Sequence, residues 1–142
     1  MKGLLDWLSR SKKVYVDAKI LNIHDPTPPR AAFVGYLVEG TDEHHEKSVE
    51  ATETDDAEIE AILFAMEDLV GKFRRLVVVC NQESVVSEAN RKSVKNPSPM
   101  LVKLRAMRDK NPSVRLEPLK TNPEHRFLTE YVNRVTEGTE RG

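Results

Sequence analysis

The fold class this chain predicts is an α/β domain built on a five-stranded mixed sheet. Three observations predict it. The first half opens with alternating, β-branched segments. One long acidic-tipped helix follows. A later run, "RRLVVVCN", is apolar on both faces, as a strand buried between two layers requires. The order reads β-β-β-α-β-α-β-α. That gives a three-strand antiparallel meander, then two parallel strands reached by crossovers, with helices flanking the sheet.

Each element follows from its local chemistry. Leu4, Leu5, Trp7 and Leu8 predict an amphipathic N-terminal helix over residues 1–12. The main domain is expected over 13–137, with a flexible tail at 138–142. "KKVYVDAKILNI" alternates and carries Asp17 within an apolar strand. "HDPTPPR" is a turn and "AAFVGYLVEG" the return strand of a hairpin. "HHEKSVEA" is more polar and belongs near a sheet edge; His44 and His45, adjacent on it, face opposite sides and cannot chelate one ion together.

"TETDDAEIEAILFAMEDLVGK" is the clearest helix. Thr54 or Asp55 is the expected cap, the first turn is acidic, and Gly71 lies just past the end. Its core stripe is Ile59, Ile62, Leu63, Met66, Leu69 and Val70. After the apolar strand come a short helix "ESVVSEAN", a loop "RKSVKNPS", a helix from Pro99 to Lys110, and the strand "SVRLEPL". "NPEHRFLTEYVNRV" is the last helix, with Asn122 as cap and Pro123 at its first position.

The 142 residues suffice for one domain with a hydrophobic core, and 39% hydrophobic against 32% charged residues is ordinary for a globular protein. No apolar run approaches a membrane span, and "MKGLLDWLSRSKK" lacks the long apolar region of a secretory signal. The lone Cys80 excludes an internal disulfide, which makes a cytoplasmic location the expectation. Cys80 itself reads as a small core residue. The net charge of −1 conceals an asymmetry, −8 over residues 1–71 and +7 over residues 72–142. A basic half can attract a polyanion, although two solvated faces of opposite sign are the plainer reading.

In open α/β sheets, ligands bind past the carboxyl ends of the central strands. Here that position is Asn81, a neutral amide. Asp17 places a charge inside an apolar strand, which is costly unless the site uses it. At 100° per residue Glu58 falls on the edge of the helix core stripe and Glu60 nearly opposite, so Glu58 is the better partner.

These stretches together resemble type 1 ribonuclease H. "VYVDAK" looks like that family's first strand with its central Asp, and "TETDDAEIEAILFAMEDL" like its "T-N-N-x-A-E" helix opening. "SVKNPSPMLVKL" is similar to the "V-K-N-P" segment before a later helix. "NPEHRFLTEYVN" is similar to the "N-x-x-A-D-x-L-A" start of the last one. The resemblance covers roughly residues 13–135. It implies a ribonuclease H-like fold and a hydrolase, an endonuclease that cleaves RNA in RNA/DNA hybrids with two Mg²⁺ or Mn²⁺ ions held by four carboxylates.

Carried onto this chain, the first two carboxylates are Asp17 and Glu58, which would be the metal ligands. The third falls on Asn81 and the fourth on Arg126, both departures. Together they shift the site by three charge units toward positive. An Arg about 5 Å from a divalent ion is repelled by roughly 6–7 kcal/mol at an effective dielectric of 20. The resemblance therefore implies an impaired two-metal site, with Arg126 paired to Asp17 or Glu58 in place of an ion, and Mg²⁺ or Mn²⁺ as cofactor only if the site is active. Glu124, as a substitute ligand, and His125, as a proton carrier, are the alternatives that would rescue the site.

Arg91, Lys92, Lys95, Asn96 and Arg105 are the candidate nucleic-acid contacts, with Arg74, Arg75, Lys103 and Arg108 as further basic positions. With 6% aromatic residues, stacking on single strands has little support, while backbone and 2′-hydroxyl recognition of an A-form hybrid needs few rings. Three functions stand. The first is a nucleic-acid-associated protein that binds RNA/DNA hybrid or structured RNA weakly. The second is an active Mg²⁺- or Mn²⁺-dependent ribonuclease H, and the third a protein-interaction or homodimerisation module. No membrane role is expected.

Overall fold

The computed structural model describes residues 11–20, 30–40, 44–51 and 53–119. The Leu4–Leu8 stretch, the 138–142 tail and the last expected helix lie outside the described residues. Five strands and three helices follow in the predicted order, except that β1 already begins at Ser11, where the N-terminal helix was expected to run to residue 12: β1 (Ser11–Ile20), β2 (Arg30–Val38), β3 (His44–Ala51), α1 (Thr54–Leu69), β4 (Arg75–Cys80), α2 (Glu83–Asn90), α3 (Pro99–Lys110) and β5 (Val114–Pro118).

The sheet order is β3-β2-β1-β4-β5. β1 and β2 pair antiparallel with Asp17 opposite Gly35, and β2 pairs antiparallel with β3, which closes one edge. β4 lies parallel to β1, with Ser11 opposite Arg75 and Tyr15 opposite Val79. β5 lies parallel to β4, with Val77 opposite Arg115.

Alternation along the strands sorts their side chains to two faces. On one face Val14, Val16, Val34, Val38, Leu76 and Val78 pack against the stripe Ile59, Ile62, Leu63, Met66 and Leu69 of α1. Burial of this face, at about 25 cal/mol per Å² of apolar surface, is the main force that seats α1 on the sheet. The other face carries a smaller cluster of Tyr15, Leu37 and Val79 with Val77 and Leu119 beside it. Val77 is accordingly half-buried rather than enclosed on both sides.

Two local expectations are corrected. α1 begins at Thr54 with Glu53 at the cap, and no side chain caps it; the Ala57 N–H bonds the Glu53 carbonyl at 3.1 Å instead. Its acidic first turn, Asp55 and Asp56, complements the helix dipole without capping. Val70 already lies past the helix, its backbone extended (φ −60°, ψ 130°), yet it stays half-buried against the same core. Gly71 then takes φ +89°, and the Lys72 N–H bonds the Leu69 carbonyl at 3.0 Å, so residues 69–72 form a type II turn with glycine at its third position. Among the described residues no helix is long and apolar enough to cross a membrane.

Candidate functional site

The carboxyl end of β4 is where the chain gathers its buried charge. Strand β1 delivers Asp17, two residues past the Tyr15–Val79 pair, so it lies level with Asn81, two residues past Val79 on β4. Helix α1 delivers Glu58 from the sheet-facing side, where it is only 2% exposed, while Glu60 is half-buried. Periodicity therefore ordered the two glutamates correctly by burial. Asp17 and Glu58 are the only charged residues among the described ones that are fully buried.

The geometry ties the three positions together. The backbone N–H of Asn81 donates to Glu58 Oε1 at 2.9 Å. Asp17 Oδ1 accepts from the backbone N–H of Ala18 at 2.8 Å. Burial pushes the Glu58 carboxyl up to about 8; the backbone N–H groups of Asn81 and Gln82 oppose that rise, and the nearby Asp17 charge adds to it. Burial, with Glu58 beside it, likewise raises the Cys80 thiol well above its ordinary value, which leaves it an inert core residue. The Asn81 residue is exposed at the mouth.

No family profile matches the sequence, and no curated protein matches it. Solved structures do. LC11-RNase H1 in complex with an RNA/DNA hybrid aligns at a TM-score of 0.64 with 20% identity, over 88% of this chain and 99% of that one. RNase H1 from the halophilic archaeon Halobacterium salinarum NRC-1 aligns at 0.66 with 16% identity, over 94% of this chain and 100% of that one. The Prototype Foamy Virus Protease-Reverse Transcriptase aligns at 0.67 with 16% identity over 93% of this chain, which spans 21% of that protein's length. The chain has the ribonuclease H fold.

On a ribonuclease H fold, the described donor set at this end is two carboxylates and one amide. Hard divalent cations take six or more oxygens and need anions to balance their charge. Asp17 and Glu58 are the buried oxygen donors at this end, and the charge of Asp55 also reaches Glu58. Among the described residues no group of three or more His, Cys, Asp or Glu side chains is placed to hold a metal. Arg126, Glu124 and His125, the positions on which the fourth ligand and its substitutes were expected, lie outside the described residues. His45 is occupied otherwise, its ring 5.1 Å from that of Tyr36.

The expected nucleic-acid loop divides into parts with different duties. Arg91, Lys92, Lys95 and Asn96 are exposed, and Asn96 is held at φ +52°. Arg105 is not a free contact. Its Nη1 donates to the carbonyls of Glu88 at 2.7 Å and Arg91 at 2.9 Å, and its Nη2 to that of Lys92 at 3.2 Å. Arg108 Nη1 adds a bond to the Ala89 carbonyl at 2.7 Å. The last carbonyls of a helix have no partner within it, and a cation there also meets the negative end of the dipole. α3 thus closes α2 with two guanidinium groups. The basic residue types were legible, but not this use of them, because the partners lie 13 to 19 positions apart in the chain.

Lys95 and Asn96 also line a cavity of about 230 Å³ whose wall includes Glu53, Asp55, Asp56 and Glu88. Burial and the charges of Glu53 and Asp55 raise the Asp56 carboxyl above its ordinary value. A hollow with this many carboxylates repels phosphate, and of the loop cations only Arg91 and Lys92 lie outside it.

Proposed function

We propose that this chain is a nucleic-acid-associated protein of the ribonuclease H fold, which binds RNA/DNA hybrid or structured RNA and whose two-metal nuclease site is impaired. The observation that carries this reading is the neutral Asn81 at the carboxyl end of β4, hydrogen-bonded through its backbone to a buried Glu58. A divalent cation held there, if any, would polarise phosphate oxygen and water. The chain's own share is to position Asp17 and Glu58 and to exclude water around Glu58. The LC11 neighbour's complex with an RNA/DNA hybrid supports the choice of ligand.

A labelled RNA/DNA hybrid, titrated with the chain in Mg²⁺ or Mn²⁺, tests it. Binding that weakens steeply with salt, with the hybrid left intact, is the expected result. Cleavage abolished by Asp17→Asn would overturn the impairment and establish the second reading, an active ribonuclease H. The juxtaposition of Asp17 with Glu58 favours that alternative, since two of the four acidic positions are retained in a buried pair.

A further inference from the structure

The opposite end of the sheet carries a feature of the other sign. Parallel pairing puts Ser11 beside Arg75, and Val77 beside Arg115. Leu76 and Val78 of β4, and Val114 and Leu116 of β5, all join the core under the helices, so Arg75 and Arg115 project from the other face of neighbouring strands. Arg74, Arg108, Pro112 and Ser113 complete a cavity of about 520 Å³ around them.

We propose that this basin is a phosphate-binding site, distinct from the Asp17–Glu58 end, that takes an anion bearing several phosphates. Four arginines line it, and among the described residues no carboxylate does. Asp109 faces the smaller adjoining cavity with Arg108 and Pro112. Arg74, Arg75 and Arg115 are exposed, with no hydrogen-bond or ion-pair partner among the described residues. Arg108 is pinned by its bond to the Ala89 carbonyl, so one guanidinium stands fixed at the rim before any ligand arrives. Solubility alone asks for charges spread over a convex surface and of both signs; cations of one sign collected in a hollow repel each other and are relieved by an anion. Guanidinium forks match phosphate oxygens in pairs, and the hydroxyls of Ser11 and Ser113 offer further donors.

The basin lies six residues before Asn81 along β4, which at ~3.3 Å per residue is about 20 Å away. A tripolyphosphate is too short to reach both ends, and the basin stands whether or not a hybrid engages the carboxylate end. The phosphates could come from a nucleic-acid strand or from a free oligophosphate.

Calorimetric titration of the full chain with inorganic tripolyphosphate tests the site. Saturable binding is expected, weakened about tenfold or more in Arg75→Ala/Arg115→Ala, the cost of losing at least one charge-assisted hydrogen bond. It is expected unchanged in Arg91→Ala/Lys92→Ala and in Asp17→Asn. Arg75→Gln/Arg115→Gln gives the same loss should the alanine pair fail to fold. Displacement of tripolyphosphate by a short oligonucleotide assigns the site to a strand, and its failure to compete assigns the site to free oligophosphate. Absence of tripolyphosphate binding to the natural chain, or equal binding by the Arg75/Arg115 variants, would overturn the proposal.

Discussion

The backbone N–H of Asn81 donates to Glu58 Oε1 at 2.9 Å, so the first residue past β4 is fastened to the buried carboxyl of α1. That bond fixes the backbone at the mouth of the candidate site. It also sets up a pH response. Glu58 is raised from 4.5 to about 8 in the folded chain, mainly by burial.

Between those two values the folded state holds a proton that the unfolded state has released. The contribution of Glu58 to stability is therefore complete below pH 4.5 and is lost as pH rises through about 8. Denaturant unfolding is expected to show the chain less stable at about pH 9 than at about pH 6, by about 1–3 kcal/mol. Glu58→Gln keeps an acceptor for Asn81 and removes the charge, so the difference should vanish in that variant. An unchanged difference would assign the pH dependence to another group.

Addition of Mg²⁺ separates a pair of ions from one weak ion. A ligand at a hundred times its Kd stabilises the fold by about 2.7 kcal/mol. On the proposed reading of an impaired site, millimolar Mg²⁺ is expected to leave the Tm nearly unchanged. A rise of several degrees, lost in Asp17→Asn, would contradict the impaired site.

Arg105→Ala should destabilise the chain by about 1–3 kcal/mol, since it leaves the carbonyls of Glu88, Arg91 and Lys92 without their charged donor. Arg105→Lys should recover only part, because an ammonium cannot reproduce the planar fork that spans three oxygens. Amide hydrogen exchange in α2 reports the effect directly. Faster exchange at its last turn is expected in both variants, and unaltered exchange would show that the clamp is dispensable.

Gly71→Ala is expected to cost about 1–2 kcal/mol, although no atom stands within 4 Å of the added methyl group. The cost comes from φ +89° alone. Gly71→Asn should cost less than Gly71→Ala, since asparagine tolerates the left-handed region better. Urea midpoints of the two variants check the order.

The meander, the long helix and the parallel strand were all legible, because each writes its period into neighbouring residues. The choice of Glu58 over Glu60 was legible for the same reason, as a matter of which side of α1 meets the sheet. What sequence could not show were unions between distant positions. The Arg105 clamp joins residues whose separation carries no periodic signal, and the basin at Arg75 and Arg115 exists only once β4 and β5 lie side by side. The helix cap was misplaced because Thr54 and Asp55 are typical capping residues, yet the chain turns into the helix one residue sooner, at Glu53. Arg126, on which the expected charge reversal rests, lies outside the described residues.

The parallel pairing of β4 has a kinetic consequence. Ser11 and Arg75, neighbours in the sheet, are 64 positions apart, so zipping β4 onto β1 closes a loop that holds the whole meander and α1. Closure of such a loop sacrifices chain entropy before any contact repays it, which slows domains rich in distant pairings. The β1–β3 ribbon is able to assemble early and locally. The carboxylate mouth at one end of β4 depends on that docking of β4 onto β1, whereas the arginine hollow at the other end needs β5 in place as well.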